Sequence, residues 1–227
     1  MKKSHLATLL VFFVLIPLTL LLGKHLPGRK YYITTTLIII ELMLPFFLSF
    51  EGRKPQAREL VILAVLCALA IAGRVVFPIP HFKAVFAIII ITAIAFGPEA
   101  GFMVGAITAF ASNFFYGQGP FTPWQMFAYG AGGMLAGFLF RKGWLPRKPW
   151  VMALFGFCAV LFWIGPILDS SSLFIMLSRI TWKAIVTVYT SGLFINFCQA
   201  LCTAAVLLLL GKPLLAKLER VKLKYGF

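Results

Sequence analysis

Hydrophobic residues lie in eight long runs, separated by short segments that contain Gly, Pro and basic residues. The runs contain Leu, Ile, Ala and Phe without the period-two alternation of a transmembrane β-strand, so each predicts a helix. A spanning helix needs about 20 apolar residues, and the fourth and fifth runs are shorter than this. The pattern predicts about eight transmembrane helices, at roughly 6–22, 33–50, 59–77, 84–97, 101–113, 124–140, 150–168 and 183–210.

Composition supports this prediction. Of the 227 residues, 61% are hydrophobic and only 12% are charged, whereas soluble domains average about 25% charged residues. A soluble fold could not bury so much apolar surface, so the chain is predicted to be an all-α polytopic membrane protein.

The basic residues predict the orientation of the helices. With the N-terminus inside, the inner side carries 14 Lys and Arg residues and the outer side carries seven. The positive-inside rule therefore places both termini in the cytoplasm. The net charge is +15, and the basic residues that produce it flank the apolar runs. This placement favours lipid-headgroup contacts over nucleic-acid binding. The first run is long for a signal peptide and lacks an A-x-A site, so we expect an uncleaved helix.

A polar linker, EGRKPQAR at residues 51–58, divides the predicted helices into two groups. We expect residues 1–56 to form an N-terminal transmembrane hairpin and residues 57–227 to form a six-helix core. All four cysteines lie inside predicted helices, where small apolar packing residues are expected and disulfides are not. No clustered ligands predict a metal site.

The inventory of reactive side chains argues against an enzyme. The chain has six carboxylates and three scattered histidines, and no two carboxylates form an obvious pair. It contains no G-x-S-x-G, H-E-x-x-H or P-loop motif. No catalytic residue and no cofactor are predicted, and active transport would need another subunit or an ion gradient.

Polar residues inside predicted helices are candidates for function or for structural pairing. A charge at mid-membrane costs roughly 2.5–3.5 kcal/mol, so Glu41 should be protonated, paired or near water, with Arg74 as a possible partner. The pair could contact substrate or act as a relay, or it could be structural. The side chains of Asn196 and Gln199 are expected either to form hydrogen bonds between helices or to contact a ligand.

Small residues recur every four positions on three predicted helices. Ala64, Ala68 and Ala72 form one stripe, and Gly101, Gly105 and Ala109 form another, with Gly133 and Gly137 in the sixth helix. Such faces allow close approach of a second helix. Packing within the chain explains the glycines, whereas the alanine stripe suits either internal packing or another subunit.

The segment SNFFYGQGPFTPWQMF, at residues 112–127, interrupts the apolar pattern without adding charge. Its Gly and Pro residues predict turns, and irregular backbone at this depth must line a cavity or pack on protein. Neutral amides and many aromatic rings are the ingredients of a small-molecule pocket. An interfacial aromatic belt with a turn is the alternative.

Residues 57–141 resemble the substrate-binding S-component of energy-coupling factor (ECF) transporters. The resemblance rests on the combination of G-P-E-A-G, S-N-F-F-x-G-Q-G-P and T-P-W-Q-M. It implies a six-helix protein in the cell membrane of a prokaryote. Such a protein captures a vitamin from outside and docks on a transmembrane coupling subunit with two cytoplasmic ATPases. The extra N-terminal helices depart from the family pattern.

The resemblance also implies roles for particular residues. The alanine stripe Ala64, Ala68 and Ala72 matches the family's contact with the coupling subunit. The outer loop that closes over substrate matches residues 113–125. The expected substrate-binding residues are Arg74, Asn113, Tyr116, Gln118, Trp124, Gln125 and Tyr129.

The substrate is the least determined part of the prediction. The sequence is most similar to members linked with cobalamin, and riboflavin, thiamine or a queuosine-type base remain alternatives. A gradient-driven permease that uses Glu41 and Arg74 is a competing hypothesis. An intramembrane enzyme is the third, and it lacks clustered acids, bases or metal ligands.

Overall fold

The computed structural model describes residues 3–23, 30–76, 81–177 and 179–226. These residues form eight continuous helices and no strand. Helix α1 (residues 3–23) contains a π-helical turn at Val11–Leu15. The others are α2 (Lys30–Gly52), α3 (Ala57–Val75), α4 (Val85–Phe96), α5 (Pro98–Tyr116), α6 (Thr122–Arg141), α7 (Pro149–Met176, with a π-helical turn at Val160–Ile164) and α8 (Trp182–Tyr225).

Among the residues that the structure describes, four helices have the length and hydropathy of membrane spans. They are Leu6–Gly23, Tyr32–Gly52, Pro149–Met176 and Trp182–Tyr225. The all-helical polytopic architecture predicted from the hydrophobic runs is therefore confirmed. The predicted end of the third run at residue 77 and the basic residues Lys2, Lys24 and Arg29 lie outside the described residues.

Helix α4 occupies the centre of the bundle. All 12 of its residues are buried, and it packs against α3, α5, α6 and α8. Its length of roughly 18 Å is shorter than the hydrocarbon core of a bilayer. Because neighbouring helices cover α4 completely, its sequence consists mainly of Ile, Ala and Phe and has no polar face.

Glycines allow α5 and α6 to pack with their backbones close together. A Cβ at Gly101 would lie 2.9 Å from the carbonyl oxygen of Gly133. Gly137 faces the backbone of Pro98 in the same way. The packing within the chain that the sequence predicts for these glycines, called here the glycine seam, is therefore what the structure shows.

Replacing Gly101 with Val is expected to lower the thermal unfolding midpoint of the detergent-solubilised protein by about 5–10 °C. The added side chain would collide with the backbone of α6, which cannot move without separating the two helices. Gly52→Val is the matched control, because a Cβ there has no neighbour within 4 Å. An equal midpoint for both variants would contradict this packing role.

The first two helices pack against the rest of the bundle from one side. Helix α1 packs on α2, and α2 packs on α5 and α6. Phe46 and Phe47 of α2 contact Phe102 of α5, with ring centroids 4.6 and 5.7 Å apart. Met43 is buried in the same cluster. An apolar, aromatic interface thus attaches this helical pair.

Several helix ends differ from the hydrophobic runs. Helix α5 begins at Pro98 because Gly97, with a φ of 103°, turns the chain, so it is longer than the run at 101–113. Helix α7 extends to Met176. Helix α8 continues through Pro213 to Tyr225, so the basic tail outside the last predicted span is helical. At 44 residues, α8 is roughly 66 Å long and extends beyond the hydrocarbon core.

Candidate functional site

Arg74 is the centre of a polar network at one end of the bundle. It lies in the last turn of α3, and its Nη1 donates to the Ser112 hydroxyl and to Asn113 Oδ1, the latter at 2.9 Å. The Tyr116 hydroxyl donates to the carbonyl oxygen of Arg74 at 2.9 Å. The guanidinium carbon lies 5.1 and 5.5 Å from the ring centroids of Tyr116 and Tyr129. Hydrogen bonds and cation–π contacts therefore hold the charge in one position.

Asn113 connects the Arg74 network to α6. It is completely buried, and its Nδ2 donates to Gln125 Oε1 at 2.7 Å and to Thr122 Oγ1 at 3.1 Å. Its Oδ1 accepts from Arg74. Because its donor and acceptor are both used within the protein, Asn113 links α3, α5 and α6 beside this network.

The turn between α5 and α6 is shorter than the predicted loop. Residues 112–116 and 122–127 are helical, and only residues 117–121 are irregular. Gly117, with a φ of 96°, provides the left-handed conformation at the end of α5. Gln118 Nε2 donates to the carbonyl of Phe110 at 2.9 Å, and Gln118 Oε1 accepts from Thr122 at 2.9 Å. The turn is therefore anchored to both helices by its own side chains.

Two cavities lie beside this network and share Gln125, Leu168 and Gln199 in their walls. The first has a volume of about 340 Å³ and is also lined by Arg74, His81, Lys83, Val85, Tyr116 and Tyr129. The second has a volume of about 320 Å³ and is also lined by Phe121, Asp169, Ser171, Ser172, Ile175, Met176, Gly192, Ile195 and Asn196. Their shared walls make them adjacent lobes of one partly open, two-lobed cavity, which is lined by residues of α3, α4, α5, α6, α7 and α8.

Four of the seven predicted binding residues line this cavity: Arg74, Tyr116, Gln125 and Tyr129. Trp124 does not. It is buried and stacks on Phe174, with ring centroids 5.7 Å apart. Asn113, Gln118 and Trp124 make their observed contacts within the protein and are absent from the cavity lining, so their binding roles stay predictions.

The second lobe contains residues that sequence reasoning did not place in the site. Asn196 Nδ2 donates to Asp169 Oδ2 at 2.8 Å, joining α8 to α7 across the cavity wall. Ligand contact is one of the two roles that the sequence leaves open for Asn196 and Gln199. Asp169 is one of the six carboxylates, and the sequence alone assigns it no partner. In the first lobe, Lys83 from the α3–α4 connection carries no sequence signal apart from its charge.

Glu41 and Arg74 do not form the pair that was considered from the sequence. Glu41 Oε1 accepts a hydrogen bond from the Thr19 hydroxyl at 2.5 Å, which joins α2 to α1. Arg74 bonds to Ser112 and Asn113 of α5. The two charges thus belong to different helix contacts.

The alanine stripe lies on the surface of α3. Ala64, Ala68 and Ala72 are all exposed, and Val61 and Val65 beside them are 63% and 62% exposed. The stripe is therefore available to lipid or to a partner helix. Within the part of the chain that the structure describes, no group of three or more His, Cys, Asp or Glu residues is placed to hold a metal ion.

The fold and the site define a helical membrane protein with a partly polar cavity at one end. Comparison with protein families identifies the family to which the chain belongs. The model of the family described as "ECF-type riboflavin transporter, S component" matches residues 54–217, and the chain belongs to this family. It is thus a substrate-binding transporter component and not an enzyme, and the resemblance to ECF S-components is confirmed. Searches of curated proteins and of solved structures found no match.

Proposed function

We propose that this protein captures riboflavin for an ECF-type importer and holds it in the two-lobed cavity beside Arg74. The observation behind this proposal is the cavity itself, whose lining residues all lie within the matched segment, residues 54–217. Family membership supports the substrate-capture role, and the family description supports the vitamin.

The chemistry of the cavity walls suits a flat heterocycle with a polyol chain. The rings of Tyr116, Tyr129 and Phe121 provide aromatic surface for a tricyclic ring system. Gln125 and Gln199 lie where the lobes meet. Gln125 Oε1 accepts from Asn113, so the Gln125 Nε2 group can donate to a ring carbonyl, and Gln199 can both donate and accept. The second lobe adds the hydroxyls of Ser171 and Ser172 and other polar groups that can bond ribityl hydroxyls.

Cavity size favours riboflavin over cobalamin. The lobes have volumes of about 340 and 320 Å³, near the lower end of the roughly 300–1,000 Å³ of drug-sized ligand sites. A corrinoid with its nucleotide loop is several times larger than riboflavin. Cobalamin therefore remains a candidate only if α7 and α8 separate widely from α6, and a queuosine-type base is small enough to remain a competitor.

Fluorescence titration of the purified protein tests the substrate. Riboflavin should bind with one-to-one stoichiometry and lose fluorescence as its ring stacks on the tyrosines, and excess cobalamin or queuine should not displace it. Mass spectrometry of co-purifying small molecules provides an independent readout. Displacement by cobalamin, or co-purification of cobalamin without flavin, would contradict the riboflavin assignment.

The remaining features of the transporter follow from this role as proposals. The cavity faces the outside, and both termini face the cytoplasm of a prokaryote, in accord with the distribution of Lys and Arg. The exposed alanine stripe docks on a coupling subunit that carries two ATPases. Residues 1–56 form an accessory hairpin, which is supported by the family match beginning at residue 54.

A gradient-driven permease receives no comparable support. That hypothesis used Glu41 and Arg74 as coupling groups, and these residues contact Thr19 and Asn113 respectively. Uptake that persists in cells lacking every ECF ATPase would favour the permease over the ECF importer.

A further inference from the structure

A second polar cavity lies at the end of the bundle opposite to Arg74, where α4 ends. It has a volume of about 260 Å³. Its walls come from the α2–α3 linker, the first turn of α3, and the ends of α4, α6 and α8: Arg53, Lys54, Pro55, Gln56, Glu59, Phe96, Arg141 and Lys222. This cavity is thus separate from the one proposed for the vitamin.

Three cations converge on the last carbonyl groups of α4. Arg53 Nη1 and Arg141 Nη1 both donate to the carbonyl oxygen of Phe96, at 2.8 and 3.3 Å. Lys222 Nζ donates to the carbonyl of Ala95 at 2.7 Å. The final carbonyls of a helix lack partners within it, and the negative end of the helix dipole favours cations. These contacts fix three positive groups around one small space.

The positive charge of this cavity exceeds the negative charge that faces it. Four cationic side chains line it together with a single carboxylate, Glu59, which is buried and already forms an ion pair with Arg53. Glu219 pairs with Arg147 at 2.8 Å outside the cavity. The helix dipole contributes only about half a charge. A bound anion would therefore relieve the mutual repulsion of these cations.

We propose that this basic cavity binds a phosphate group. Guanidinium groups match phosphate oxygens with paired N–H donors, and Lys adds a point charge. Basic pockets between helices at a membrane surface bind phospholipid headgroups. Arg53 and Lys222 lie outside the matched residues 54–217, so the site includes parts of the chain that the family match does not cover and does not depend on the proposed vitamin.

Thermal unfolding of the full-length protein in neutral detergent tests this site with two probes. In one arm phosphatidylglycerol is compared with phosphatidylcholine, and in the other inorganic phosphate is compared with chloride at equal ionic strength. A phosphate group bound only to the folded state should raise the unfolding midpoint by about 3 °C. A shift with phosphatidylglycerol alone identifies a lipid headgroup, and a shift with inorganic phosphate identifies a free anion.

Matched variants separate this site from general surface charge. Arg141→Gln combined with Lys222→Gln should abolish the shift, whereas Lys217→Gln combined with Arg220→Gln removes equal charge from exposed positions outside the cavity and should preserve it. Lys54→Gln, an exposed lining position, should reduce the shift if the double variant does not fold. No shift with either probe, or equal loss in both double variants, would overturn the proposal.

Discussion

Replacing Arg74 with Ala is expected to weaken riboflavin binding by about 100-fold. Arg74 lines the cavity, and a charge-assisted bond from it to the ligand would be worth roughly 1.5–3 kcal/mol, where 1.4 kcal/mol corresponds to a tenfold change in affinity. The substitution also removes the bonds to Ser112 and Asn113 that hold the site in place. Asn113 is completely buried, so its freed acceptor would have no solvent to replace the guanidinium. Tyr116 and Tyr129 would also lose the cation that positions their rings.

Titration of riboflavin fluorescence with purified variants measures this effect. Arg74→Lys should bind with intermediate affinity, because an ammonium keeps the charge and loses the planar paired donors. Arg179→Ala is the matched control, since Arg179 is exposed and lies outside both lobes of the cavity. A folded Arg74→Ala protein with unchanged affinity would show that the network does not organise the binding site.

Replacing Ala68 with Phe is expected to reduce vitamin uptake at least about 100-fold while leaving riboflavin affinity within about twofold. Ala68 is the middle member of the exposed stripe on α3, and small residues permit the close helix contact that membrane interfaces require. A Phe ring would hold the coupling subunit away from α3. It would not reach the cavity, which α3 lines through Arg74.

Uptake is measured in cells that express the coupling subunit and both ATPases, and affinity is measured on the purified chain. Cys158→Phe provides the control, because Cys158 is an exposed small residue on α7. Normal uptake by Ala68→Phe would exclude the stripe as the docking face. Loss of binding with intact assembly would instead assign the stripe to packing inside the chain.

The glycine seam shows why some contacts were predictable from sequence. Gly101 and Gly133 lie in patterns that leave a helix with no side chains on one face. Such a face gains stability only by meeting another backbone closely. The presence of a helix and the position of its small-residue face both depend on residues close together in the sequence. The hydrophobic pattern is therefore enough to predict them.

The side-chain partners in the candidate site could not be predicted from the sequence. Asn113 and Trp124 were expected to face the vitamin, and each has its contacts within the protein. Asp169 and Asn196 meet across 27 positions of the chain, and nothing local to either residue indicates the other. Polar residues in a membrane helix need hydrogen-bond partners, but the sequence does not predict which other helix carries each partner.

The sequence by itself determined a polytopic helical membrane protein, its small-residue faces and the family signature between Ala57 and Arg141. Only the tertiary structure decided that Arg74 bonds to Asn113 and not to Glu41, and that α7 and α8 complete the cavity. The physical reason is that periodicity defines the faces of one helix, whereas a partner depends on how several helices are rotated and shifted against each other. That arrangement follows from packing of the whole bundle around the buried helix α4.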